Sequence, residues 1–131
     1  MKKKICIVQS TYNSSITDRM VKGAVQVLKL NKVKSIKIIR VPGSFEIPQL
    51  ISKLMSKYDG FIAIGCIIKG ETENFNLICS AITNGIMSLS INNKKPISNG
   101  LITSFNKKQA IKRINNGKES AIAIVKFLKI K

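Results

Sequence analysis

Gly60-Phe61-Ile62-Ala63-Ile64-Gly65-Cys66-Ile67-Ile68 is the most apolar run in this chain of 131 residues. It is strand-sized and falls well short of the roughly 18 residues that a membrane span requires. It shows no helical period and no polar alternation, so it reads as a strand covered on both faces, as strands inside a parallel sheet are. Residues 73–91, which follow, place Leu77, Ile78, Ala81, Ile82, Ile86 and Leu89 at helical spacing. The same pairing precedes the run twice. Residues 4–8 read as a buried strand, and residues 16–30 as a helix with Ile16, Met20, Ala24, Val27 and Leu28 on one face, capped by Ser15 or Thr17. A strand over 35–41 and a helical segment over 44–57 come next. Beyond the run, Pro96 opens a strand over 97–103, and two helices over 107–114 and 118–130 hinge near Asn115-Asn116-Gly117. The expectation is one α/β domain over residues 1–131: a four-stranded parallel sheet with helices on both faces.

Composition narrows the function. Twenty-three basic and six acidic residues leave a formal charge of +17, which attracts polyanions. Twenty of those bases are Lys and three are Arg, whereas base-edge and bidentate phosphate recognition favours Arg. Lys, Ile and Asn fill 20, 23 and 11 positions, a bias that reads as codon drift touching every site. The lysines form no stripe beyond Lys2–Lys4 and have no aromatic interleaving, so a solvated Lys coat is expected, with no nucleic-acid partner. The start of the chain is basic and then briefly apolar, but Gln9, Ser10 and Thr11 interrupt it before signal-peptide length is reached. Cys6, Cys66 and Cys79 show no CxxC spacing and sit in apolar stretches. Reduced thiols in a cytoplasmic protein with no membrane partner and no metal site are the expectation.

Ligands of open parallel sheets sit beyond the carboxyl ends of the strands, so the chemistry is sought in the loops that follow them. The first loop carries Tyr12, whose ring is suited either to stacking on a flat ligand or to packing on the next helix. The second is Val41-Pro42-Gly43-Ser44-Phe45-Glu46-Ile47-Pro48: a turn, a cap at Ser44, and a carboxylate placed for the helix dipole or for a polyol. The third, Gly65-Cys66-Ile67-Ile68-Lys69-Gly70-Glu71-Thr72, points free N–H groups of a helix start outward, where a phosphate docks. The fourth leads to Gln109-Ala110 and Arg113, an arginine kept in a Lys-saturated chain, suited either to an anion needing a planar fork or to an exposed place on a helix.

Taken together and in order, these four loops resemble the lumazine synthase family. The likeness spans nearly the whole chain and rests mainly on the Pro-Gly-x-Phe-Glu-Ile-Pro string and the Lys-Gly-x-Thr turn. It implies a flavodoxin-like three-layer fold, assembled as pentamers or sixty-subunit shells with sites between neighbouring subunits. The reaction it implies joins 5-amino-6-ribitylaminouracil to 3,4-dihydroxy-2-butanone 4-phosphate without any cofactor. Tyr12 would stack on the pyrimidine, Ser44, Phe45 and Glu46 would hold the ribityl chain, and Cys66, Ile67 and Ile68 would present backbone groups to the ring. Glu71, Thr72 and Arg113 would bind the phosphate, and Asn99 would reach the ring from a neighbouring subunit.

Two features depart from that pattern. Asn74 stands where the family has its proton-transferring His, and the chain contains no histidine. Asn116 stands where the family has a Lys, and the stretch between Arg113 and Gly117 is short. A non-catalytic lumazine- or flavin-binding or shell-forming relative is therefore the alternative expectation.

Overall fold

The nine residues of Gly60–Ile68 form a strand, here β3, in which every position is buried. The computed structural model describes residues 1–71 and 74–131. With β1 at Lys4–Ser10, β2 at Ser35–Val41 and β4 at Ile97–Ser104, the strands form one parallel sheet of order β2-β1-β3-β4. Val8 pairs with Ile39 on one side and Ala63 on the other, and Ala63 pairs in turn with Asn99. Among the described residues five α-helices accompany the sheet: α1 (Ser14–Leu30), α2 (Glu46–Leu54), α3 (Phe75–Asn93), α4 (Lys107–Ile111) and α5 (Asn116–Leu128).

Side chains of a strand alternate between faces, and here both faces are covered. Ile5, Ile7, Ile62 and Ile64 pack with Met20, Ala24 and Leu28 of α1 and with Ala121 and Ile124 of α5. Cys6, Val8, Phe61 and Ala63 pack on the other face with Ile47 and Ile51 of α2 and with Ile82 and Ile86 of α3. This double coverage is the physical reason that β1 and β3 are apolar at successive positions. Strand β2, at one edge of the sheet, is the more open: Ile38 is 40% exposed and Val41 alone in the strand is buried.

Local details differ from expectation where a distant partner intervenes. Strand β1 continues through the polar Gln9 and Ser10, both fully buried. Gln9 Nε2 donates to Thr17 Oγ1 (3.1 Å) and Asp18 Oδ1 (2.6 Å), and Thr17 Oγ1 donates to the Ser10 carbonyl (2.8 Å). Neither Thr17 nor Ser15 caps α1. Asn13 holds that position, its carbonyl accepting the N–H groups of Ile16 and Thr17. Ser44 likewise caps nothing through its side chain: the Glu46 carboxylate accepts the Gly43 N–H (2.9 Å), and the Ser44 hydroxyl turns inward to Ser10 (3.4 Å). Pro48 lies in the first turn of α2, where its missing N–H leaves no helical bond unmade.

The chain turns between α4 and α5 over residues 112–115, next to the expected hinge, and Gly117 inside the first turn of α5 is a packing contact. A Cβ on Gly117 would run into the Met20 carbonyl, so the glycine lets α5 close on the α1 backbone. Among the described residues no helix is long and apolar enough to cross a membrane.

Candidate functional site

Strand β1 leads through α1 to β2 on one flank of the sheet, while β3 leads through α3 to β4 on the other. The chain therefore diverges at the adjacent carboxyl ends of β1 and β3, which opens a crevice between them. A cavity of about 240 Å³ occupies it, and Tyr12, Ser44, Phe45, Cys66, Ile67 and Ile68 line it together with Gly43 and Ile78.

Backbone bonds bring these loops together. Thr11 N–H donates to the Val41 carbonyl (2.9 Å) and Tyr12 N–H to the Pro42 carbonyl (3.0 Å), continuing the β1–β2 ladder into both loops. Asn13 Nδ2 donates to the Cys66 carbonyl (2.8 Å) and ties the first loop to β3. A Cβ on Gly65 would collide with the Ser44 hydroxyl and crowd Leu101, so this glycine lets the second loop lie directly on β3. Tyr12 and Phe45 stand at the rim, 69% and 54% exposed, while Ser44 and Cys66 form the floor. Two apolar rings over a floor of backbone groups suit a flat, polar-edged ligand.

The other described site residues do not line this cavity. The Glu46 carboxylate sits next to it, engaged with the Gly43 N–H. Asn74 occupies the N-cap position of α3 and is exposed; its carbonyl accepts the Ile78 N–H (2.9 Å), and its side chain makes no capping bond. Thr72 and the Glu71 side chain lie outside the described residues. Arg113 emerges after α4 and its Nη1 donates to the Thr103 carbonyl (3.1 Å) near the end of β4. Asn99 lies within β4, its Oδ1 accepting the Leu101 N–H (3.0 Å), and belongs to a second groove of about 610 Å³ between α3 and α5. That groove is the larger, but it runs beside the edge strand and not at the strand ends. Asn116 and Glu119 also line it, with Met87 and Phe127.

Burial pushes the Cys6 thiol up to about 11, with nearby Lys37 acting in the opposite direction, and burial also raises Cys79. No disulfide joins Cys6, Cys66 or Cys79, and Cys79 is only partly buried. Among the described residues no three His, Cys, Asp or Glu side chains cluster as metal ligands do.

The sequence model of the 6,7-dimethyl-8-ribityllumazine synthase family matches residues 2–131. The chain belongs to the lumazine synthase family. It is 35% identical over 131 residues to a 6,7-dimethyl-8-ribityllumazine synthase of Limosilactobacillus reuteri (strain DSM 20016), covering 97% of this chain and 86% of the relative. The enzyme of that name from Buchnera aphidicola subsp. Baizongia pistaciae (strain Bp) is 41% identical over 141 residues, with 98% and 87% covered. That of Pyrococcus furiosus (strain ATCC 43587 / DSM 3638 / JCM 8422 / Vc1) is 36% identical over 129 residues, with 95% and 82% covered.

Within this lumazine synthase fold, sequence reasoning overlooked Asn13 and Ile78. Ile78 was visible only as one more apolar position of a helix. The role of Asn13 had no local signal, because its partner is 53 residues away.

Proposed function

We propose that this chain condenses 5-amino-6-ribitylaminouracil with 3,4-dihydroxy-2-butanone 4-phosphate to 6,7-dimethyl-8-ribityllumazine, the penultimate step of riboflavin synthesis. The observation that carries the reading is the convergence of Tyr12, Ser44, Phe45 and residues 66–68 on one cavity at the divergence of β1 and β3. Tyr12 stacks on the pyrimidine, backbone groups of residues 66–68 meet its edge, and Ser44, Phe45 and Glu46 hold the ribityl chain. Arg113, with Glu71 and Thr72, takes the phosphate of the ketone.

The amine attacks the ketone, and water leaves to give an imine. β-Elimination then releases phosphate, and attack of the ribitylamino nitrogen on the remaining carbonyl closes the ring with loss of a second water. Much of this reactivity resides in the substrates, so orientation dominates. Holding two reactants in attack geometry contributes roughly 7–11 kcal/mol, whereas a positioned base adds about 10²- to 10⁴-fold in rate. Asn74 hydrogen-bonds but carries no proton near neutral pH, so the proton passes through substrate phosphate, Glu71, Glu119 or water. The result is a slow but active enzyme.

Asn99 and Arg113 lie outside the cavity of their own chain, which supports a site completed by a neighbouring copy. Helix α3 supports assembly too. It leaves Leu77, Met87 and Ile91 at 72%, 60% and 66% exposure, and large apolar side chains exposed together along one helix are normally covered by a partner. We assign a pentamer, with a sixty-subunit shell as the larger alternative. Cysteines outside any disulfide fit a reducing cytoplasmic setting.

Incubating both substrates with the protein and following lumazine absorbance tests the reaction; a rate equal to the buffer blank refutes it. Mass measurement in solution tests the assembly, and a monomer refutes it. Asn74 in place of the family His favours a second reading, a binding-only relative, for which tight product binding without turnover is the signature.

A further inference from the structure

Phe105 follows β4 and is 63% exposed, a high figure for a phenylalanine. Its backbone is firmly held. The Phe105 N–H donates to Gln109 Oε1 (2.9 Å), the Gln109 N–H to Asn106 Oδ1 (2.9 Å), and Ser104 Oγ to the Asn106 carbonyl (3.0 Å). The ring thus projects from a rigid corner, two residues beyond the Thr103 carbonyl that anchors Arg113. Lys69 Nζ lies 5.2 Å from the centre of this ring, and the Phe75 ring lies 6.3 Å from it at 42°. Lys69 immediately follows β3 and Phe75 is the first residue of α3. One exposed ring therefore touches the residue where the chain leaves the sheet and the residue where the next helix begins.

We propose that Phe105 is a positioning residue: it holds the Lys69 ammonium and, through Phe75, the start of α3 at Asn74, and so sets the end of the site that receives the phosphate-bearing ketone. The inference rests on the reaction proposed above for the choice of substrate, but the contacts themselves lie within one chain. Cation–π and edge or tilted ring pairs are weak singly, yet both depend on the same ring, so removing it releases both partners at once.

Steady-state kinetics of Phe105→Ala, Phe105→Tyr, Lys69→Met and the Lys69→Met/Phe105→Ala double variant decide the matter. Phe105→Ala is expected to raise KM for the ketone phosphate about five- to tenfold, with KM for the uracil unchanged within about twofold. Phe105→Tyr keeps the ring face and restores the wild-type value. The double variant is expected to be less impaired than the product of the two single effects, because the two residues share a contact. Equal movement of both KM values, no movement, failure of tyrosine to rescue, or fully multiplicative effects would overturn the inference. If the wild-type protein turns nothing over, the reaction reading has failed by itself. Amide exchange over residues 75–79 then decides: acceleration in Phe105→Ala and protection in Phe105→Tyr uphold the positioning role, and identical exchange in all three proteins sinks it.

Discussion

Asn13 Nδ2 donates to the Cys66 carbonyl at 2.8 Å, joining the loop after β1 to the end of β3 across the floor of the cavity. Tyr12 precedes Asn13, so this bond sets where the Tyr12 ring stands relative to residues 66–68. Asn13→Ala removes an interaction of about 0.5–1.5 kcal/mol, and the product dissociation constant is expected to rise about two- to tenfold. Titration of lumazine fluorescence measures it, and an unchanged constant would mean that the rim holds its shape without Asn13.

Asn74 is exposed at the start of α3 with its amide unused by the cap. Asn74→His is expected to raise the condensation rate by about 10²- to 10⁴-fold, and the rate should then acquire a step near pH 6.5 that the wild type lacks. A pH–rate profile of both proteins checks this. Glu71→Gln and Glu119→Gln in the wild-type background separate carboxylate relays from substrate phosphate or water, since only a relay carboxylate lowers kcat when neutralised.

Arg113 fixes its guanidinium plane by donating Nη1 to the Thr103 carbonyl, which leaves its other N–H groups available for an anion. Arg113→Ala is expected to raise KM for the ketone phosphate about 10- to 100-fold, the weight of a charged hydrogen bond. Arg113→Lys should recover only part of that loss, because an ammonium cannot hold the carbonyl and present a planar fork together. Full rescue by lysine would show that charge alone suffices.

Gly117→Ala drives a Cβ into the Met20 carbonyl, a backbone atom that cannot rotate away. A loss of roughly 2–3 kcal/mol is expected, lowering Tm by about 8–12 °C. Gly70→Ala is the control: among the described residues no atom beyond its chain neighbours lies within 4 Å of the added methyl, so stability should hold or rise slightly. Thermal denaturation of the three proteins makes the comparison.

Cys6 keeps its proton in the folded state up to about pH 11, because burial disfavours the thiolate. An unfolded cysteine ionises near pH 8.5, so between those values the unfolded chain releases a proton that the folded one retains. Stability attributable to Cys6 is therefore full below about pH 8 and declines as pH rises towards 11. The stability difference between wild type and Cys6→Ala should narrow by roughly 2–3 kcal/mol over that interval. Denaturant midpoints at pH 8, 9 and 10 measure it, and parallel curves would contradict it.

The strands and helices were readable in advance because each is a local pattern. Residues 60–68 are apolar at every position, as expected of a strand buried on both faces, and residues 16–30 carry a 3.6-residue period that survives any context. The loops were readable for a different reason. Small polar residues, glycines and an isolated arginine are conspicuous at the ends of apolar runs, and Tyr12, Ser44, Phe45 and residues 66–68 do meet in one cavity.

Periodicity says nothing about partners far apart along the chain, and there the reading failed. Thr17 looks like a cap but is used by Gln9 and Ser10; Ser44 looks like a cap but turns towards Ser10, 34 residues away. Gly117, one residue inside α5, makes a close approach to Met20 that nothing in its neighbours along the chain announces. Hydrophobic patterning is written residue by residue, so order along the chain dictates which faces are buried and hence the layered sheet. Directional contacts between polar groups and close approaches of backbone exist only once the layers have closed, and it is these that place Asn13 on Cys66, Arg113 on Thr103 and Lys69 over Phe105.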